Sequence, residues 1–180
     1  NNCGGDVLNF MQEYPISEEE AFIASGTPRF AYQQMSALRR GCVQPQAVGT
    51  FAFLARLTYT TPEFIPGEEG EVFIWQWPQP GHRYVIGADC IGSSYRGDYN
   101  AVCVVDKDVY PHPVVATVWG RQDADHYASL LANLGRFYHN ALLAIEVNGV
   151  GEAVQNSARH IYHHFYHRLP IDEEMRLPGR

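Results

Sequence analysis

Hydrophobic and polar positions along the chain change their rhythm near residue 81. Before that point the apolar residues come in short, separated groups. Ser17-Glu18-Glu19-Glu20 has the form of a capping box, in which the Ser17 hydroxyl accepts from the third helical amide and Glu20 reaches back. Ala21, Phe22 and Ile23 supply the apolar side of that short helix. A second helical stretch runs from about Phe30 to Arg40 and stops at Gly41, a residue suited to a helix end. Residues 41–50 read as a polar connection. Thr50 to Thr60 and Glu71 to Trp77 are rich in aromatic and β-branched residues and read as strands, with Thr61 to Gly70 a loop between them.

From Gly81 the pattern is that of an alternating α/β unit. Arg83 to Asp89, Ala101 to Asp106 and Val114 to Trp119 are apolar strands joined by short turns, which predicts a three-strand antiparallel meander. Tyr127, Leu130, Leu131, Leu134, Phe137 and Tyr138 then repeat at helical spacing, so Asp123 to Tyr138 reads as a helix with Asp123 or Asp125 near the positive end of its dipole. Ala141 to Val147 is a fourth strand, Gly149 to Ala158 a second helix, and Ile161 to Tyr166 a fifth strand. Reaching the fourth strand through a helix allows parallel pairing by crossover. The fold class expected is a mixed sheet of a meander plus parallel strands, flanked by helices.

Composition narrows the function classes. The 180 residues are 46% hydrophobic and 18% charged, enough apolar material for a real core. No apolar run approaches the length of a membrane-spanning helix. The formal charge is −7, and Lys107 is the only lysine among thirteen basic residues. Such a chain is not built to grip nucleic acid by bulk charge, whereas a localised arginine face suits bidentate contacts to phosphate. Cys3, Cys42, Cys90 and Cys103 form no CxxC pair, so they are expected as idle or buried thiols in a reducing cytoplasm.

Candidate chemistry lies in the carboxylates. Asp89 ends an apolar strand and Glu146 stands near the end of another. Where those strands are parallel neighbours, both acids reach the same sheet edge. Charged carboxylates beside a buried strand are costly unless compensated, and hard cations such as Mg²⁺ or Mn²⁺ take oxygen ligands. Two such ions can activate water and stabilise the leaving oxygen of a phosphodiester. Asp98, across a glycine-bearing turn from Asp89, is a further ligand or a support for one. This pattern does not separate a ribonuclease from an integrase, a resolvase or a packaging nuclease.

Three blocks of sequence resemble one family. Residues 10–25 (FMQEYPISEEEAFIAS), followed by Gly26 and Phe30, are similar to a segment of the large terminase subunit of tailed bacteriophages that joins its packaging ATPase to its nuclease. Residues 84–106 (YVIGADCIGSSYRGDYNAVCVVD) are similar to the opening of that nuclease, and residues 144–151 (AIEVNGVG) to its I-E-x-N-x-x-G block. Trp75 and Pro78 suit the entry into the sheet. The resemblance implies a ribonuclease H-like endonuclease that cuts concatemeric double-stranded DNA during packaging, with two Mg²⁺ or Mn²⁺ ions. It implies that Asp89 and Glu146 bind metal and that Asp98 assists, while Asn148 and Gly149 shape the turn after Glu146. It further implies residues 1–50 as a linker after an ATPase domain and 51–180 as the nuclease domain. A third metal acid would lie beyond Arg180, since Asp172, Glu173 and Glu174 do not match its motif. The resemblance thus implies a nuclease domain truncated at its C-terminus, with an incomplete active site and cleavage by this fragment in doubt. Portal protein and small terminase subunit are the implied partners, and the host cytoplasm the implied location.

Other features are weighed against these. A DNA-gripping or motor-docking module without cleavage is the alternative from another functional class, and a resolvase-like nuclease the alternative within the fold. Arg83, Arg96 and Arg121 are expected to flank the acidic edge, with Arg96 in the turn between Asp89 and Asp98 the best placed for phosphate. Arg39 and Arg40 read as ordinary residues of a helix C-terminus. The histidine-rich run Arg159 to Arg168 reads as solvated or DNA-facing surface, because nuclease magnesium prefers carboxylates. Trp75 and Trp77 read as packing residues.

Overall fold

A computed structural model of the chain describes residues 32–53, 60–91 and 99–167. The chain divides into two compact units, residues 1–44 and 45–180. In the first, helix α1 spans Tyr32–Arg40, carries Arg39 and Arg40 in its last turn and ends at Gly41, as its sequence predicts. The Ser17 capping box lies outside the described residues.

Among the described residues, the second unit is a seven-stranded sheet with two helices. Its elements are β1 (Ala47–Phe51), β2 (Phe64–Pro66), β3 (Val72–Ile74), β4 (Tyr84–Asp89), β5 (Asn100–Asp106), β6 (Val114–Gly120), α2 (Ala124–Phe137), β7 (Leu142–Ile145) and α3 (Val150–Arg159). The strand order is β2-β1-β3-β6-β5-β4-β7. β4, β5 and β6 form the expected antiparallel meander, and β7 returns through α2 to pair parallel with β4. A meander whose first strand takes a parallel neighbour by helical crossover is the ribonuclease H-like arrangement. The expected fold class is therefore the observed one.

Strand alternation sorts the meander into two faces. Tyr84, Ile86 and Ala88 of β4, Val102 and Val104 of β5, and Ala116 and Val118 of β6 are buried and join one core with Tyr127, Leu130, Leu131 and Leu134 of α2. Each fully buried aliphatic side chain of this kind contributes about 1.5–3 kcal/mol relative to exposure. The alternate positions Gly87, Asp89, Ala101, Cys103 and Trp119 are exposed on the other face. Asp123 caps α2 by accepting from the His126 amide at 2.9 Å. Ser157 donates to Asp125 at 2.6 Å and ties α3 to the start of α2.

Three segments depart from the sequence reading. β1 opens at Ala47, inside the stretch expected to be a polar connection and before the expected start of the nuclease domain at residue 51. One of its two inward positions is Gly49, which has no side chain to reveal the alternation. β2 lies within the expected loop; it is three residues long and ends in Pro66, tolerable because β2 is the edge strand. The expected strand Ile161 to Tyr166 contributes a single parallel bridge, Leu143 to Phe165. Within this segment His164 holds the Asn140 carbonyl through Nδ1 at 2.6 Å.

Candidate active site

Parallel pairing of β4 with β7 brings the two principal acids together. Ala88 is registered with Ile145, and the Glu146 amide donates to the Ala88 carbonyl at 2.9 Å, carrying the ladder one step further. Asp89 and Glu146 thus stand side by side at the ends of neighbouring strands, whose backbones are about 4.8 Å apart. Both residues are exposed. They share the parity of the registered pair Gly87–Ala144, so both belong to the face opposite the α2 core.

The surroundings fix these acids through the backbone as much as through their carboxylates. The buried Tyr127 hydroxyl lies 3.1 Å from the Asp89 carbonyl and 3.0 Å from the Ala101 carbonyl, so one side chain of α2 clamps the end of β4 to β5. Burial, reinforced by the charge of Asp89, raises the Tyr127 phenol far above its usual range and keeps its proton in place as a donor. Asn148 donates through Nδ2 to Glu146 Oε1 at 2.9 Å, so the turn residue orients the second acid directly. Gly149 has a φ of +52°, a backbone that favours glycine, and opens α3. At Gly151 a Cβ would meet the Glu146 carbonyl oxygen at 1.9 Å, so the first turn of α3 seats directly on the backbone of the acid.

Cys90 follows Asp89 and is buried beneath this pair. Its thiol is pushed up to about 11, first by burial and then by the charges of Asp89 and Glu146. A thiol so placed stays protonated and is no nucleophile.

Asp89 and Glu146 supply hard oxygen donors on an exposed edge, the donor chemistry that suits Mg²⁺ or Mn²⁺ retaining several waters. Among the described residues no group of three or more His, Cys, Asp or Glu side chains is arranged to hold a metal ion. The pair is a two-carboxylate cradle, with Asp98 and Arg96 outside the described residues. Arg121, just beyond β6, stands at the same end of the sheet as Asp89, because Asn100 pairs with Gly120 while Ala101 pairs with Asp89. Arg83 does not flank this edge. It precedes β4, at the opposite end from Asp89, and its guanidinium is held by Asp108 at 2.5 Å. An even number of strand residues keeps Arg83 and Asp89 on one face but separates them by about 20 Å.

Several residues at the site carry no sequence motif. Tyr127 falls in the apolar stripe of α2 and reads as core; only its hydroxyl, buried with the ring, marks a polar duty. Trp119 reads as one more apolar strand residue, although its alternation places it outward. At the far end of the sheet the buried Asp106 accepts from the Asp108 amide at 2.9 Å and is 2.7 Å from His82 Nδ1, a polar anchor for the start of β4. Trp77 packs among Phe64 and Phe137, in keeping with its reading as a packing residue. Among the described residues no helix is long and apolar enough to cross a membrane.

No protein family profile matches the chain, and no curated protein sequence does. Solved structures do. The large terminase nuclease from thermophilic phage G20c with bound magnesium is 21% identical over 68% of this chain and 59% of that one, with a TM-score of 0.47. The same nuclease with bound cobalt gives 22% identity, 66% and 56% coverage, and a TM-score of 0.47. The Thermus phage P74-26 large terminase nuclease domain gives 21% identity, 67% and 55% coverage, and a TM-score of 0.42. The chain thus spans less than two thirds of the length of these domains.

Proposed function

We propose that this chain is a metal-dependent endonuclease domain of a phage packaging terminase, hydrolysing phosphodiester bonds of double-stranded DNA at the edge formed by Asp89 and Glu146. The observation that carries the reading is the placement of these two acids side by side on one exposed face by parallel pairing of β4 and β7. The three sequence blocks that resemble the terminase family support it, since each acid falls within one of them.

In this reading Asp89 and Glu146 hold divalent cations, Mg²⁺ or Mn²⁺, with Asp98 assisting. Such ions, when bound, supply a nucleophilic water near neutral pH and stabilise the leaving oxygen of the displacement. The protein's own contribution is rigidity. Tyr127 fixes the Asp89 backbone, Asn148 turns the Glu146 carboxylate, and Gly151 lets α3 brace the Glu146 carbonyl. Holding ligands in place before substrate arrives avoids a reorganisation cost during the reaction. Arg121 offers a guanidinium for a flanking phosphate. The residues before β1 act as the linker from an ATPase domain, and the sheet from β1 onward belongs to the nuclease domain. Portal protein and the small subunit are the proposed partners, in the host cytoplasm.

The test is titration of the chain with Mn²⁺, followed by electron paramagnetic resonance, beside cleavage of supercoiled plasmid in the same buffer. Asp89→Asn and Glu146→Gln should each weaken Mn²⁺ binding at least about tenfold and lower cleavage about a hundredfold or more, the range over which loss of a directly acting charged group is felt. Mn²⁺ binding and cleavage that survive both substitutions would refute the assignment.

A further inference from the structure

We infer that Trp119 is a stacking platform for an unpaired DNA base, leading a single-stranded segment to the acidic edge. The inference rests on the nuclease reading only for where that strand leads, not for the contact itself.

Sheet register supplies the first part of the argument. Asp89 pairs with Ala101, and Ala101 pairs with Trp119, so the three stand in one row across β4, β5 and β6. All three are exposed on the same face. Two strand spacings separate Asp89 from Trp119, about 10 Å, and the residue between them is alanine. Stacked DNA rises about 3.4 Å per nucleotide along one strand, so a base held at Trp119 is within about three nucleotides of a phosphate at Asp89.

The second part is the composition of the patch. Trp119 is 56% exposed and Tyr99 is 38% exposed, both unusual for large rings on a packed sheet. Their centroids are 4.3 Å apart at an interplanar angle of 38°. The Arg121 guanidinium carbon lies 4.1 Å from the centroid of the Tyr99 ring. Tyr99 thus contacts both the guanidinium and the indole, and more than half of Trp119 stays open to solvent. Among the described residues no carboxylate forms an ion pair with Arg121. An aromatic face open to solvent beside a guanidinium offers a base its π-surface and the adjoining phosphate its counter-charge. A duplex keeps its base faces stacked on each other, so the ligand that fits is a frayed, looped or single-stranded segment.

The experiment measures binding of the whole chain in millimolar Ca²⁺ and fixed salt to fluorescent oligo(dT) of about 12 nucleotides, a length within single-strand site sizes, and to a blunt duplex of the same length. Trp119→Ala should weaken oligo(dT) binding about tenfold or more, while Trp119→Phe stays within about threefold of the parent and duplex binding changes less than about twofold. A 2-aminopurine base in the oligonucleotide should lose fluorescence on binding the parent chain and keep it with Trp119→Ala. Equal losses for single strand and duplex, or quenching that survives Trp119→Ala, would overturn the inference. No oligo(dT) binding by the parent chain would overturn it too. The two proposals fail separately: cleavage without quenching removes the platform and keeps the nuclease, and quenching without Mn²⁺-dependent cleavage does the reverse.

Discussion

Replacing Tyr127 by phenylalanine tests whether the acidic edge is held by its backbone. The substitution keeps the ring in a fully buried site, so the apolar contribution is unchanged and the difference reports the hydroxyl alone. The single proton of that hydroxyl is shared between two carbonyls, Asp89 at 3.1 Å and Ala101 at 3.0 Å. A net hydrogen bond is worth about 0.5–1.5 kcal/mol, and a buried acceptor left without a partner costs about 1–3 kcal/mol. Tyr127→Phe should therefore destabilise the chain by about 1.5–2.5 kcal/mol. In a chain of this size each kcal/mol lowers the melting temperature by about 2–4 °C, so a fall of about 3–10 °C follows. Urea unfolding followed by circular dichroism is the assay, with the midpoint moving and the slope staying constant. Mn²⁺ affinity should fall in the same variant, because the Asp89 backbone loses its hydrogen bond from Tyr127 while the side chain keeps its carboxylate. A stability change below about 0.5 kcal/mol would refute the clamp, and a normal one with unchanged Mn²⁺ affinity would confine it to folding.

Three further outcomes are expected. Gly151→Ala sets a Cβ 1.9 Å from the Glu146 carbonyl oxygen, a backbone atom; overpacking of about 1–3 kcal/mol outweighs the gain of up to about 1 kcal/mol in helix propensity, and the urea midpoint should drop. Brief alkylation with iodoacetamide near pH 8, mapped by mass spectrometry, should label exposed Cys103 and spare Cys90, whose buried thiol titrates at about 11, until urea is added. The Asp108 carboxyl is lowered to about 2 by its hydrogen bonds from Arg83, side chain first and backbone second, with the charge of Arg83 adding to them. Its stabilising effect is complete above the ordinary carboxylate range near pH 4 and is lost as pH falls through about 2. Carbon NMR of that carboxyl should show the low titration, and Arg83→Ala should return it toward the ordinary range.

Elements with strong local signals were legible in the chain. β4, β5, β6 and α2 carry long apolar patterns, and Asp123 announces the start of α2 by its residue type. Legibility failed where the side chain that would carry the signal is missing or shared. Gly49 hides the alternation of β1, and the three residues of β2 are too few to outweigh Pro66 and the flanking turn residues. The placement of Asp89 and Glu146 at one edge followed from assuming parallel neighbours, and the register supplies that pairing. Arg83 shows the opposite limit: proximity to a strand says nothing about which end of it matters. Tyr127 and Trp119 read as apolar positions because composition does not distinguish a ring in the core from a ring whose hydroxyl or open face acts elsewhere.

The registered pairing of β4 with β7 has a consequence for how this site can change. The spacing of the two acids is set by the hydrogen-bonded ladder, a ruler common to all sheets, rather than by the length or conformation of either side chain. Surface loops can lengthen, shorten or change composition without altering that ruler. A slip of one residue in either strand is a different event, because it exchanges the two faces. Asp89 would take the place of Ala88 and carry its charge into the core, where Ile86, Val102 and Leu131 offer it nothing. The active edge is thus protected by parity. The same apolar packing that stabilises the sheet penalises every register in which its acids are misplaced.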